Sequence, residues 1–253
     1  MYYPVMRNIV FITMLALVLI PTSVLSKRRS VPNQFPVYDN GGKPDLVVDP
    51  QKFVSSMEIV DKLFAEGNCA IEEGAVGGAG KRRLLRFDTV VMNSGNGDLV
   101  VGDRGDANNP LAGQFEVEPC EGFNRIRDFS NYELLNKERT VVVAGHKQGL
   151  CLGDSFKFEG DKTNDFNCNS PGITSGWAGW YYRKQIGQWI DITGVPEGDY
   201  IVRVTVNAAG TFDEGQNRYT NSLETSVHIP DPHKKVKSDN SAGAVESNAM
   251  RSR

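Results

Sequence analysis

The chain has 253 residues, 40% hydrophobic and 23% charged, the composition of an ordinary globular domain. Lysine and arginine number 28 against 31 acidic residues, and a net charge of −3 makes no electrostatic case for nucleic acid or an anionic membrane surface as partner. The only histidines are His146, His228 and His233, which is too few at ligand spacing for a metal motif, and no nucleophile elbow accompanies them.

In chain order, Arg7 precedes an apolar or nearly apolar run over residues 9–20, and Val24-Leu25-Ser26 suits cleavage after Ser26. Residues 1–26 therefore read as a secretory signal peptide. The rival reading is a signal anchor, because Lys27, Arg28 and Arg29 follow directly; the apolar run falls short of the ~20 residues a bilayer needs. Cleavage removes one charged residue, Arg7, so the mature charge moves from −3 to −4, and no membrane partner is expected afterwards. In an oxidising compartment Cys69, Cys120, Cys151 and Cys168 read as two disulfides, with three pairings open. Residues 27–43, rich in Pro, Gly, Asn and charge, read as an extended arm, residues 231–253 as a disordered tail, and residues 44–230 as the folded domain.

Within that domain the apolar pattern alternates with period two. Leu85, Phe87, Thr89 and Val91 share one face, a turn signal begins at Asn93, and residues 140–143 form a β-branched run. Tyr200, Val202, Val204 and Val206 share a face, as do Leu223, Thr225, Val227 and Ile229. The predicted fold is all-β, a mainly antiparallel β-sandwich with long irregular loops and little helix. Residues 53–64 fit helical and strand spacing equally. Residues 103–118 and 160–180 read as long loops, the second crowded by Trp177, Trp180, Tyr181 and Tyr182, either an exposed binding surface or a cap on the sandwich. The glycine run at 74–80 lacks the first glycine and the hydroxyl of a phosphate loop and reads as a plain flexible loop.

Two segments carry more information. GHKQGLC (145–151) and GITSGWAGWYYRKQIGQWIDIT (172–193) resemble the cofactor-bearing segments of the lysyl oxidase family, as do LLRF from Leu84, FSNYELL from Phe129, GDYIVRVTVN from Gly198 and YTNS from Tyr219. The matches run in the family's order over most of residues 44–230. The resemblance places Lys147 and Tyr181 at the pair that fuses into lysine tyrosylquinone when copper and dioxygen oxidise the tyrosine; the quinone then converts a substrate lysine to an aldehyde. It also implies the pairings Cys69 with Cys120 and Cys151 with Cys168. A third family bridge falls on Ala75 and Gly187 and is missing.

The departures bear on activity. After the cysteine matched by Cys120 the family carries His-x-His-x-His, which holds copper(II); this chain has Glu121, Gly122, Phe123, Asn124 and Arg125. The family's aspartate base, two residues before the tyrosine, is Gly179 here. Lys147 and Tyr181 then read as a vestigial pair, or as a strand-end lysine and a core aromatic, and His146 as a structural hydrogen-bonding residue. The family's calcium-type site keeps Asp45 and Asn221, but Gln216 and Arg218 stand at its acidic positions. These residues describe a secreted, catalytically degenerate lysyl oxidase-like protein, with no cofactor expected, binding extracellular matrix or another secreted protein. The alternatives are a copper amine oxidase acting on protein lysines through lysine tyrosylquinone, and a purely structural extracellular component.

Overall fold

A computed structural model of the protein describes residues 34–117, 120, 122, 124–145 and 148–239, residues 148–150 through their backbone alone. The expected signal peptide (1–26), residues 27–33 of the arm and 240–253 of the tail lie outside the described residues.

Strands dominate. In chain order the elements are β1 (Leu46–Val48), α1 (Pro50–Ser56), β2 (Glu58–Phe64), α2 (Cys69–Glu72), β3 (Gly80–Arg86), β4 (Thr89–Asn93) and β5 (Leu99–Val100). A 3-10 turn at Ala112–Gln114 leads to β6 (Phe115–Val117), β7 (Asn124–Leu135), β8 (Val141–Ala144), β9 (Gln148–Leu150) and β10 (Phe156–Lys157). The rest are β11 (Gly172–Ile173), β12 (Trp177–Tyr181), β13 (Trp189–Asp191), β14 (Gly198–Val206), β15 (Ser222–Ile229) and β16 (Lys237–Asp239). One sheet runs β1-β4-β12-β10, a second β13-β3-β2-β16, and a third β15-β14-β7-β6, with β8 and β9 also on β7; β5 and β11 form a separate ladder. The fold is all-β and mainly antiparallel, and the one parallel pair among the described strands joins β16 to β2.

The third sheet turns Ile126, Leu134, Val202, Val204 and Ile229 inward, where they meet Leu46 and Val91 of the first sheet and Leu85 and Ile190 of the second in one core. The alternation over residues 200–206 and 223–229 becomes the β14–β15 hairpin, with Val202, Val204 and Val206 fully buried. The alternation over 85–91 does not make one strand. Phe87 and Asp88 carry the chain from the second sheet to the first, held by Phe87 N–H to the Gln188 carbonyl (3.4 Å) and Asp88 N–H to Ser56 Oγ (2.8 Å). The ambiguous stretch 53–64 divides: Asp49 caps Gln51 N and Lys52 N, Pro50 starts α1, and the chain turns extended at Met57 to enter β2.

Three readings are corrected. The loop 160–180 contains β11 and most of β12, and β12 is interior to its sheet; Gly176 and Gly179 hid it by interrupting the apolar pattern. The glycine run at 74–80 is clasped, since Asp191 accepts from Gly77 N (3.0 Å) and Arg82 Nη2 (2.6 Å), and the Ala75 carbonyl accepts from Trp189 Nε1 (2.9 Å). The tail, expected to be disordered from 231, packs as far as Asp239. Buried Arg83 donates to the carbonyls of Asp231 (3.0 Å) and Lys234 (2.8 Å), and buried Arg86 pairs with Glu58 and Asp239.

Both disulfides have the pairing the resemblance implies, Cys69–Cys120 and Cys151–Cys168, with Cα separations of 5.8 and 5.2 Å. They close loops of 51 and 17 residues, so removing each is expected to cost about 4 and about 3 kcal/mol in the chain-entropy account. Urea unfolding of C69A/C120A and C151A/C168A proteins checks this, with the 51-residue bridge giving the larger loss.

Burial acts to raise Asp61 and Glu58, but Arg83 and Lys81 on Asp61, and Arg86 and Arg183 on Glu58, outweigh it and hold both carboxyls below their ordinary values. A depressed folded-state pKa contributes stability above the unfolded value and loses it as pH falls through the folded value. Stability is therefore expected to decline below about pH 4, and an Asp61→Asn variant to show a shallower acid decline by urea unfolding at stepped pH.

Candidate functional site

Tyr181 closes β12, opposite Thr89 of β4, and faces the core at 3% exposure. Its hydroxyl donates to the carbonyl of Cys151 (3.2 Å), the residue after β9. Burial first, then the neighbouring Tyr132 and Asp154, push its pKa far above the ordinary phenol value, so it stays a neutral donor. Gly179 lies two residues back on the same strand. A Cβ there would stand 2.9 Å from the Tyr181 hydroxyl and 3.2 Å from the Gly153 carbonyl, so the ring fills the space that a side chain at 179 would need.

The 145–151 segment is bracketed by this geometry. Gly145 donates to the Tyr132 carbonyl (2.7 Å) at an approach where a Cβ would come within 2.9 Å of that oxygen, so only glycine fits. Three residues later β9 pairs with β7 at Ser130. The Tyr132 hydroxyl is buried between Thr89 Oγ1 (3.0 Å) and Gln188 Oε1 (2.9 Å). Both sequence-predicted segments thus converge on Tyr132 of β7, a residue the motif reading quoted within FSNYELL without assigning it a place in the site. Its signal was the β7 alternation that buries Tyr132 and Leu134. His146 and Lys147 themselves lie outside the described residues.

In the loop after Cys120, Glu121 and Phe123 also lie outside the described residues. Gly122 has φ +70° and brings no side chain, and β7 starts at Asn124, whose Oδ1 accepts from Arg104 Nη1 (2.9 Å). Arg125 is mostly buried and donates Nε to Glu116 Oε1 (2.9 Å). Imidazole nitrogens are the donors that suit copper(II) here. Of the family's histidine positions 121, 123 and 125, the described one is Arg125, whose guanidinium opposes a cation, so that position does not fit the ion; Gly122 and Asn124 beside it bring no imidazole. Among the described residues, the grouping of potential ligand atoms is Cys69, Glu72 and Cys120, whose two sulfurs are bonded to each other.

The four aromatics of 177–182 split. Tyr181 enters the core; Trp180 lies on the outer side of its sheet, stacked on Tyr182 (4.8 Å), covered by Lys52 and tied through Nε1 to Asp88 Oδ2 (3.1 Å). Trp177 donates Nε1 to the Lys162 carbonyl (2.9 Å). Trp177 and Trp180 are thus both tethered through their indole nitrogens, while Tyr182 is the exposed one at 41%.

The family model described as lysyl oxidase matches residues 44–237. The chain belongs to the lysyl oxidase family. It is 31% identical over 194 residues to lysyl oxidase homolog 2 of Bos taurus and 30% identical over 194 residues to that of Homo sapiens, in each case 71% of this chain and 24% of the relative. Lysyl oxidase homolog 2A of Danio rerio is 30% identical over 192 residues, 71% of this chain and 25% of the relative. The chain spans about a quarter of the length of the curated relatives it matches.

Tyr181→Phe is expected to cost about 1 kcal/mol, one buried hydrogen bond. Gly179→Ala is expected to cost about 1–3 kcal/mol by overpacking, and less in the Tyr181→Phe background, where the contacting hydroxyl is gone. A double-mutant cycle by urea unfolding measures this coupling.

Proposed function

We propose that this lysyl oxidase-family chain is a secreted protein that keeps the scaffold of the oxidase without its quinone chemistry, and that it acts as an extracellular binding module on matrix or another secreted protein. The observation that carries the reading is the chemistry at position 125. Arg125 stands at a histidine position of the family's His-x-His-x-His run and is a guanidinium salt-bridged to Glu116, where copper would call for an imidazole. Tyr181 supports it: a ring sealed in the core, with its hydroxyl on a main-chain carbonyl and glycine at the position of the family's base, is placed to pack rather than to meet a substrate amine. Secretion is supported by the apolar stretch at 9–20 and by two disulfides, which persist in oxidising compartments. No helix among the described residues is long and apolar enough to cross a membrane.

The test is expression of the full chain in a copper-supplemented secretory host. Metal analysis is expected to find substoichiometric copper, and incubation with a lysine-containing peptide to release no hydrogen peroxide above a Tyr181→Phe control. Stoichiometric copper with peroxide release that Tyr181→Phe abolishes would replace this reading with the amine oxidase. A matrix or secreted protein retained by the wild-type chain, with neither copper nor peroxide, supports the binding role.

A further inference from the structure

The acidic cluster at the start of β1 has the composition of a divalent-cation site, yet all but one of the carboxylate oxygens of Asp45 and Glu214 already accept hydrogen bonds. Asp45 is fully buried, and its Oδ2 accepts the Tyr38 hydroxyl, Arg218 N–H (2.9 Å) and Tyr219 N–H (3.2 Å). The buried Glu214 accepts from Leu46 N (2.6 Å) on one oxygen and from Asn207 Nδ2 and Asn221 Nδ2 (2.5 Å each) on the other. Asn221 Oδ1 is taken by Asn217 Nδ2 (2.9 Å). The Arg218 guanidinium lies 4.0 Å over the Tyr38 ring, a cation beside the cluster. Asp45 Oδ1 remains without a partner. Calcium takes six to eight oxygens, and one free carboxylate oxygen, on a carboxylate whose other oxygen is already bonded by three donors, does not supply them. The residues present do not fit the ion.

We infer that the N-terminal arm is the resident occupant of this cluster, with Tyr38 supplying the hydrogen-bond donor where a cation would otherwise neutralise Asp45, so that the fold is latched by its own arm and is independent of calcium. The described part of the arm is held for this role from Phe35 to Asn40. Val37 N–H donates to Glu159 Oε2 (2.9 Å), and Tyr38 bridges to Gly95. Asn40 Nδ2 reaches the Glu214 carbonyl (2.6 Å), and Phe35 and Tyr38 both pack edge-on against Tyr219 at 5.1 and 5.8 Å. The latch joins residues at opposite ends of the domain, since Tyr38 and Arg218 are 180 positions apart. It uses none of residues 121–125 and not Tyr181, so it holds whether or not the chain oxidises amines.

The experiment compares wild type with Tyr38→Phe by thermal unfolding in EDTA and in millimolar calcium chloride, with hydrogen exchange of the 34–43 segment as a local readout. Wild type is expected to melt at the same temperature in both buffers. Tyr38→Phe, which keeps the ring for Arg218 and Tyr219 and removes the donor to a buried carboxylate, is expected to melt about 3–10 °C lower and to exchange faster in 34–43. A calcium-dependent rise in the wild-type melting temperature would overturn the proposal. So would a Tyr38→Phe protein that matches wild type in melting and exchange.

Discussion

The hydrogen bond from the Tyr181 hydroxyl to the Cys151 carbonyl is the constraint around which the centre of this molecule is arranged. It joins the end of β12 to the exit of β9, ties the first sheet to the strands on β7, and is closed off by the Cys151–Cys168 bridge. A buried phenol without a partner would cost a few kcal/mol, so in the core its hydroxyl needs an acceptor, and the acceptor comes from the 145–151 segment. Gly179 follows from the same contact, because the ring occupies the space its side chain would need. The substitution at 179 and the burial of Tyr181 are one packing arrangement rather than two independent losses.

A second pattern recurs away from the core. Arginines with protein partners stand at or beside positions where the family's chemistry would call for a bound ion. Arg125 pairs with Glu116, Arg104 holds Asn124, and Arg218 sits over Tyr38 beside Asp45. Exposed pairs of this kind contribute little stability, but a mostly buried guanidinium such as Arg125 fixes the sign of the local potential. It disfavours a cation beside it with little screening by salt, because a group out of water is poorly screened.

The strands with one apolar face were legible in the sequence. Val202, Val204 and Val206 declare β14 because a half-buried strand must alternate, and Ile229 closes β15 in the same way. β12 was illegible for the complementary reason. It lies inside its sheet with both faces covered, and with Gly179 and Ala178 where bulky residues would announce a strand, the segment read as a loop. Likewise β16 lacks an apolar signal because Lys237 and Asp239 dock by charge, on Glu58 and Arg86. The arm hid its attachment too: Tyr38 and Asn40 are ordinary arm residues until Asp45 and Glu214 come into view, and those contacts span more of the chain than any local pattern. The cysteine pairing and the Tyr181 position came through the family resemblance, and composition alone left them open.

The central claim is that the family's quinone-forming pair is not joined in this chain. Peptide mass spectrometry of the full protein, secreted under copper-replete conditions, reduced and digested, tests it most directly. The account predicts that the peptides carrying Lys147 and Tyr181 are recovered separately, both unmodified at those residues. A single covalently linked peptide pair joining Lys147 to Tyr181 would contradict it.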